Sequence, residues 1–544
     1  MTPMPILRNP ILRGFNPDPS ICRVGDEYFV ATSTFEWFPA VRLHHSHDLV
    51  HWETVGHALT GPEQLDLRGV SDSGGVWAPS LTNVDGEFWL AYSVVRSMDG
   101  DDKDLDNYLV TAPSIEGPWS EPIPLGSRGF DFSFLHDDDG SHWLVGVQWD
   151  QRPEHPSFSG IVLEQYDHEQ RRVLSGATVI AAREMLTEGP NLYHRDGWYH
   201  LLVAEGGTGW NHGIAHARSR SIAGPYEFDP RGSLLTTRHA PGHPLQKAGH
   251  GELVETRGGE WLLVHLASRP VLALGERYCT LGRETCIQRV AWDDAGWLRL
   301  AGGGVLPEVE VDVSDVSAPA APPGRVAAEH RPAWSPGGID ELRFSTLRSP
   351  LGPDVADVTS RPGWLRLRGG HSVASVFTQS MLAERVTEHR MVAATVVDAE
   401  PVTVRQAAGL IAWYDREGFA WAQVTWDPEH GRHVRLVTRD TGRTERSQPF
   451  TALPPGPVPL RMRLDRELLI AEVQDASGVW RAIAGPFPAW KLSDDHGQRL
   501  RFTGLFLGVR AEDLDGTGWT ADFEDFDLEV PVDAAEPASQ EAGR

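Results

Sequence analysis

Five times in the first 300 residues a turn glycine is followed by a short run of aromatic and β-branched residues. The copies read VGDEYFVATS at Gly25, VDGEFWLAYSVV at Gly86, DDGSHWLVGVQW at Gly140, RDGWYHLLVAEG at Gly197 and RGGEWLLVHLAS at Gly259. Each is a hairpin signal, a glycine turn opening onto β-forming residues. They recur at intervals of about 55–60 residues, room for four strands per unit, with further strand and turn cues between them (LVHWETV, SIEGPWSEP, SIAGPYEF). No long helical period interrupts them. The pattern predicts a five-bladed β-propeller. Beyond it, RMVAATVVD, QAAGLIAWY, GFAWAQVTW, HVRLVTRD, LRMRLD and LLIAEVQD alternate with the turns DREG, DPEHG, RDTG and DASG. Short strands at near-regular spacing predict a β-sandwich.

The expected fold is therefore all-β, an N-terminal five-bladed propeller followed by a C-terminal β-sandwich. The composition change around APAAPPG marks a linker. The expected division is a propeller over 1–315, a Pro/Ala linker over 316–333, a sandwich over 334–532 and a disordered tail over 533–544.

The same register places chemistry. Nine positions upstream of the turn glycine stand Trp77, Asp131, Glu188 and His250, and in the shorter first repeat Asp18 stands seven upstream. Equivalent positions of propeller blades face one axis. A single acid there would be an ordinary structural hydrogen-bonding group, but three converging acids are costly unless protonated, separated or compensated, which points to function. Asp18 is flanked by Pro17 and Pro19, and proline pushes the residue before it toward an extended conformation. The expectation is a stiffly held, extended Asp18. Paired carboxylates with separated pKa values suit glycoside hydrolysis, one as acid and one as base. Glu188, with its longer reach, fits the acid, Asp18 the group that holds a water, and Asp131 a third charge that raises and orients the acid.

Net charge changes the partner list. At −27 over 544 residues, phosphate backbones and anionic membranes would be repelled, so neither nucleic acid nor membrane is an expected partner. Three cysteines, Cys22, Cys279 and Cys286, form no metal-binding pair or disulfide framework. The opening MTPMPILRNPILRGF lacks the apolar core of a signal peptide, and no apolar run is long enough to span a bilayer, so a cytoplasmic location is expected. Twenty tryptophans against nine tyrosines offer flat surfaces for sugar rings, though indoles also fill β cores.

Taken in order, NPDPSI, SGGVWAPS, GFDFSFLHDDDG, TEGPNLY, EGGTGW, GHGELVET and LGRETCIQ resemble the motif series of glycoside hydrolase family 43, with the best match to its two-domain β-xylosidases. The resemblance implies Asp18 as general base, Glu188 as general acid and Asp131 as the aspartate that tunes and orients the acid. It implies sugar contacts from Phe35, Trp77, Arg283 and Thr208. His250 resembles a histidine that in some relatives supports a channel Ca²⁺, largely through water; no cofactor is otherwise required. Phe506, in FTGLF, resembles a residue of a sandwich loop that closes the pocket over the terminal sugar. In the third motif Phe132 stands where the family pattern has proline. The activity implied is exo-acting, inverting release of β-D-xylose from the non-reducing ends of xylo-oligosaccharides. The alternatives are an α-L-arabinofuranosidase or bifunctional enzyme and, more remotely, a non-catalytic sugar-binding propeller. A homo-oligomer is compatible with either.

Overall fold

The computed structural model describes residues 6–98, 100–174, 176–313 and 333–531. All of the expected linker except its last residue, and the whole expected tail, lie outside the described residues. Among the described residues, every regular element is a strand apart from a single 3₁₀ turn at Ala489–Lys491. No helix among the described residues is long and apolar enough to cross a membrane.

The chain forms two compact units. One comprises Met1–Pro270 with Arg283–Ala327, the other Val271–Gly282 with Ala328–Arg544. The first is a five-bladed propeller. Its blades are antiparallel sheets whose innermost strands are Ser20–Val24, Gly75–Val84, Ser133–His136, Thr187–Arg195 and Gln246–Glu255. Each innermost strand packs against the next, and the fifth returns to the first, so the ring closes. The five glycine turns join each innermost strand to the second strand of its blade. All five glycines have positive φ, from 62° to 85°, where a side chain would be strained.

Apolar residues fill the gaps between blades rather than one central core. Leu43 and Ala31 meet Leu81 and Leu90 between blades one and two. Trp89 meets Phe134 and Leu144 in the next gap. Val147 and Leu163 meet Leu201 and Val203, and Leu202 and Ile214 meet Leu253 and Leu263. Ile21 and Val30 meet Val264 and Ile287 where the ring closes.

Polar bolts set the blades' relative height. Ser20 Oγ accepts from Leu81 N at 2.7 Å, Ser133 Oγ donates to Pro190 O at 2.6 Å, and Ile21 N donates to Glu252 Oε2 at 3.0 Å. The serines of NPDPS and GFDFS thus hold neighbouring blades. Ile6–Arg8 also pairs with Glu310–Asp312, tying the two ends of this unit together.

The second unit is a sandwich of two antiparallel sheets. One contains Gln406–Asp415 between Gly418–Asp427 and Phe506–Asp513; the other contains Arg390–Asp398 between Val458–Asp465 and Thr520–Glu529. Their facing side chains, among them Leu410, Ala422, Val397, Leu460 and Phe523, make one core. The hairpin Val271–Ala273/Glu276–Tyr278 clusters with this unit although it lies inside the propeller's stretch of sequence. The reason is local. Cys279 N donates to Asp495 Oδ2 at 2.9 Å, Leu505 N donates to Thr280 O at 2.9 Å, and the Tyr278 and Trp490 rings lie 4.7 Å apart.

Candidate active site

Asp18, Asp131, Glu188 and His250 converge at one end of the innermost strands, and the electrostatics couple all four. The expectation of an extended Asp18 does not hold: its φ is +51°. Tertiary hydrogen bonds outweigh the preference imposed by Pro19. Ser33 N donates to Pro17 O at 3.1 Å and Asn16 N to Arg283 O at 3.0 Å, fixing the chain on both sides of the turn. Ser33 Oγ donates to Asp18 Oδ2 at 2.7 Å, and Arg283 Nη1 donates to Asp18 Oδ1 at 2.6 Å. Aspartate tolerates this backbone region better than most residues, at a cost of about 1–3 kcal/mol. Asp131 (φ +56°) and His250 (φ +44°) share it. Three axial residues of the propeller therefore share the same left-handed backbone conformation.

Glu188 lies in a strand with a bulge between Glu188 and Asn191. Gly189 follows at φ +54°, and a Cβ there would come within 2.9 Å of the His250 ring. Only glycine lets the acid and the histidine approach. Asp131 Oδ2 accepts from Gly189 N at 3.1 Å, so Asp131 grips the peptide next to Glu188. Phe132, in place of proline, packs over Gly146, where a Cβ would clash with its ring at 2.4 Å. Packing rather than a pyrrolidine ring holds this Asp in register.

Burial first, then the negative charge of Asp18, pushes the Glu188 carboxyl up to about 7, against the opposing charges of Arg283 and Lys103. Asp131 is also raised, first by burial, with Glu188 and Asp18 adding to it and His250 opposing. The site thus has one carboxyl group held by an arginine and two others whose pKa values are raised, first by burial.

Aromatic rings form a row beside these acids. Phe15 and Phe35 lie 5.7 Å apart, Phe35 and Trp77 6.0 Å, Trp77 and Phe130 5.4 Å, and Phe130 and Trp149 5.9 Å. Arg283 lies 5.2 Å from the Phe35 centroid. Trp77 is only half-buried, its Nε1 donating to Ser73 O at 3.1 Å. Thr208 sits half-buried on the loop between Trp198–Glu205 and Gly213–Ser219, and no hydrogen bond joins it to the acids. Phe506 belongs to the second unit, where it opens its strand, pairs with Arg385 and Trp413 and is fully buried.

Three site residues escape sequence reasoning. Lys103, inside the acidic stretch DGDDKDLDN, lies 4.2 Å from the Trp149 centroid and its charge reaches Glu188. Phe130 precedes Asp131 and reads as ordinary core. His212 is buried against Gly249, with Nδ1 bonded to Lys247 O at 3.0 Å. Only Phe130, adjacent to a register position, had a usable signal.

For a channel Ca²⁺ the residue singled out in the sequence, His250, offers one imidazole. Calcium prefers six to eight oxygens. Among the described residues, the clusters of three or more converging His, Cys, Asp or Glu donors are Glu27–His45–His47 and Asp137–Asp138–His194, and His250 is in neither. The residues at the axis do not fit direct calcium ligation, and no catalytic step is assigned to an ion.

An arginine-held carboxyl group beside two others of raised pKa and an aromatic row defines a propeller hydrolase of the general acid–base kind, suited to a sugar. Residues 7–298 match the family model described as glycosyl hydrolases family 43, and residues 340–529 match that of the beta xylosidase C-terminal concanavalin A-like domain. A beta-xylosidase of Bacillus subtilis is 41% identical, covering 96% of this chain and 99% of the relative. A xylosidase/arabinosidase 43B of Humicola insolens is 42% identical, covering 96% and 97%. The crystal structure of a xylan beta-1,4-xylosidase from Bacillus halodurans superposes with a TM-score of 0.90 at 43% identity, covering 96% of this chain and 100% of that one. The chain belongs to glycosyl hydrolase family 43.

Proposed function

We propose that this protein is an exo-acting, inverting β-xylosidase that releases xylose from the non-reducing ends of xylo-oligosaccharides, with Glu188 as general acid, Asp18 as general base and Asp131 as the positioning acid. The observation that carries this is the contrast between two carboxyl groups: Asp18 is fixed by Arg283 and Ser33, whereas Glu188 is raised by burial and by Asp18. Glu188 gives its proton to the glycosidic oxygen as the bond to the anomeric carbon breaks. Asp18 takes a proton from the water that attacks that carbon from the opposite face. Arg283 and Ser33 fix the direction of Asp18, which suits a group that aims one water. Asp131 acts through the Gly189 peptide. Phe35, Trp77 and Arg283 supply a wall and a polar contact for the sugar.

Inversion needs space for that water, and inverting glycosidases keep their carboxyl groups roughly 6.5–9.5 Å apart. Asp18 and Glu188 come from the first and fourth blades, which are not neighbours, whereas Asp131 adjoins the Glu188 blade. Proton NMR in the first minutes on a β-xyloside should show α-xylose before mutarotation; β-xylose first would refute direct displacement.

Arabinofuranosidase activity is the second reading, favoured by the xylosidase/arabinosidase name of the Humicola insolens relative. Parallel progress curves on nitrophenyl β-D-xyloside and nitrophenyl α-L-arabinofuranoside rank the two. A cytoplasmic location fits an enzyme acting on short oligosaccharides. Treatment with EDTA should leave at least part of the turnover, because His250 supplies only one ligand. Complete loss reversed by Ca²⁺ would make the ion essential.

A further inference from the structure

Glu27, His45 and His47 lie at the far end of the first blade from the acids. The innermost strand runs from the Asp18 kink to Val24 before the Gly25 turn leads into Glu27, a separation of roughly 20 Å at 3.3 Å per residue. His45 lies in the strand Ala40–Ser46 and His47 stands just past its end, two positions on. Tyr28 pairs with Ser46, which sets Glu27 across from His47.

The geometry is not that of a hydrogen-bonded group. Glu27 Oε1 is 3.6 Å from His45 Nε2 and 3.6 Å from His47 Nδ1, beyond hydrogen-bond length in both cases. His45 Nε2 is buried and has no hydrogen-bond partner. Its ring is fixed by stacking on Phe29 at 5.0 Å, and the two imidazoles meet edge to face at 4.5 Å. The donor atoms all lie within 4.8 Å of one another. Two ligands about 2.1 Å from one tetrahedral metal are about 3.4 Å apart, close to the spacing observed.

We propose that Glu27, His45 and His47 form a binding site for a borderline divalent transition metal such as Zn²⁺, with water in the fourth position, separate from the catalytic centre. Two imidazoles and one carboxylate suit Zn²⁺ and its neighbours, not the all-oxygen preference of Ca²⁺ or Mg²⁺. The chain's net charge of −27 favours cation approach. A bound ion would link the first hairpin of the blade to the end of its third strand and give the buried His45 nitrogen a partner.

The test uses the full chain, stripped with chelator and desalted, in equilibrium dialysis against Zn²⁺ and, separately, Ca²⁺. The expected result is a Zn²⁺ site that loses at least about tenfold in affinity in both His47→Ala and Glu27→Gln. Asp138→Asn should leave it intact, which separates it from the Asp137–Asp138–His194 cluster. Loaded with Co²⁺ instead, the protein should show the intense visible bands of tetrahedral coordination, absent in His47→Ala. His47→Ala should hydrolyse nitrophenyl β-D-xyloside as the parent does and keep its unfolding temperature in chelator. Equal Zn²⁺ binding by parent and His47→Ala, no binding at submillimolar Zn²⁺, or Ca²⁺ binding as tightly as Zn²⁺ would each overturn the proposal.

Discussion

Asp18→Asn should reduce kcat by at least about 10³-fold on every substrate, whatever the leaving group. The water must lose a proton in each turnover, and an amide cannot take it. Asparagine preserves shape: Arg283 Nη1 can still donate to its oxygen, and Ser33 Oγ can turn from donor to acceptor. Substrate affinity should therefore change far less than kcat. Asp18→Ala should be equally inactive but less stable, because Arg283 is buried and loses an acceptor altogether. Thermal unfolding of the two variants separates the catalytic from the structural loss. Loss of less than tenfold in Asp18→Asn would remove Asp18 from the base role, and β-xylose as the first product from a β-xyloside would make it a nucleophile instead.

How far the sequence reaches is visible in this residue. The register that puts Asp18 on the axis follows from counting back from turn glycines, because a hairpin converts a local signal into position. The same count puts Trp77, Asp131, Glu188 and His250 at the equivalent positions of their blades. It failed for the backbone of Asp18, where neighbouring prolines suggested extension and the structure shows φ +51°. The deciding partner, Arg283, is 265 positions away. Lys103 and His212 were hidden for the same reason: their meaning lies in what faces them across the axis, not in adjacent residues. The hairpin Val271–Tyr278 carries ordinary strand cues, and nothing local reveals that it packs with the second unit. Local patterning thus specifies strands, turns and blade count, while long-range pairing specifies side-chain direction and which carboxyl keeps its proton.

Glu188→Gln should abolish hydrolysis of xylobiose while sparing an aryl xyloside with a good leaving group to a marked degree. An alkoxide leaves only if protonated; a nitrophenolate leaves unaided. The pH profile gives a second, independent reading. A general acid works in its protonated form, present below its pKa and lost above it. With Glu188 held at about 7, kcat/KM for xylobiose should fall as pH rises through that region. The observed limb belongs to the coupled set, since Asp131 is raised in the same cavity. Lys103 distinguishes the contributions. Its positive charge lowers Glu188, so Lys103→Met should move the alkaline limb upward, whereas loss of a merely structural lysine would change stability without moving the limb. In Glu188→Gln the limb should disappear from the aryl xyloside profile, leaving activity flat across neutrality. Equal loss on xylobiose and aryl xyloside, together with an unchanged alkaline limb, would show that the proton comes from another group, and Asp131, the other acid with a raised pKa, would then be the candidate.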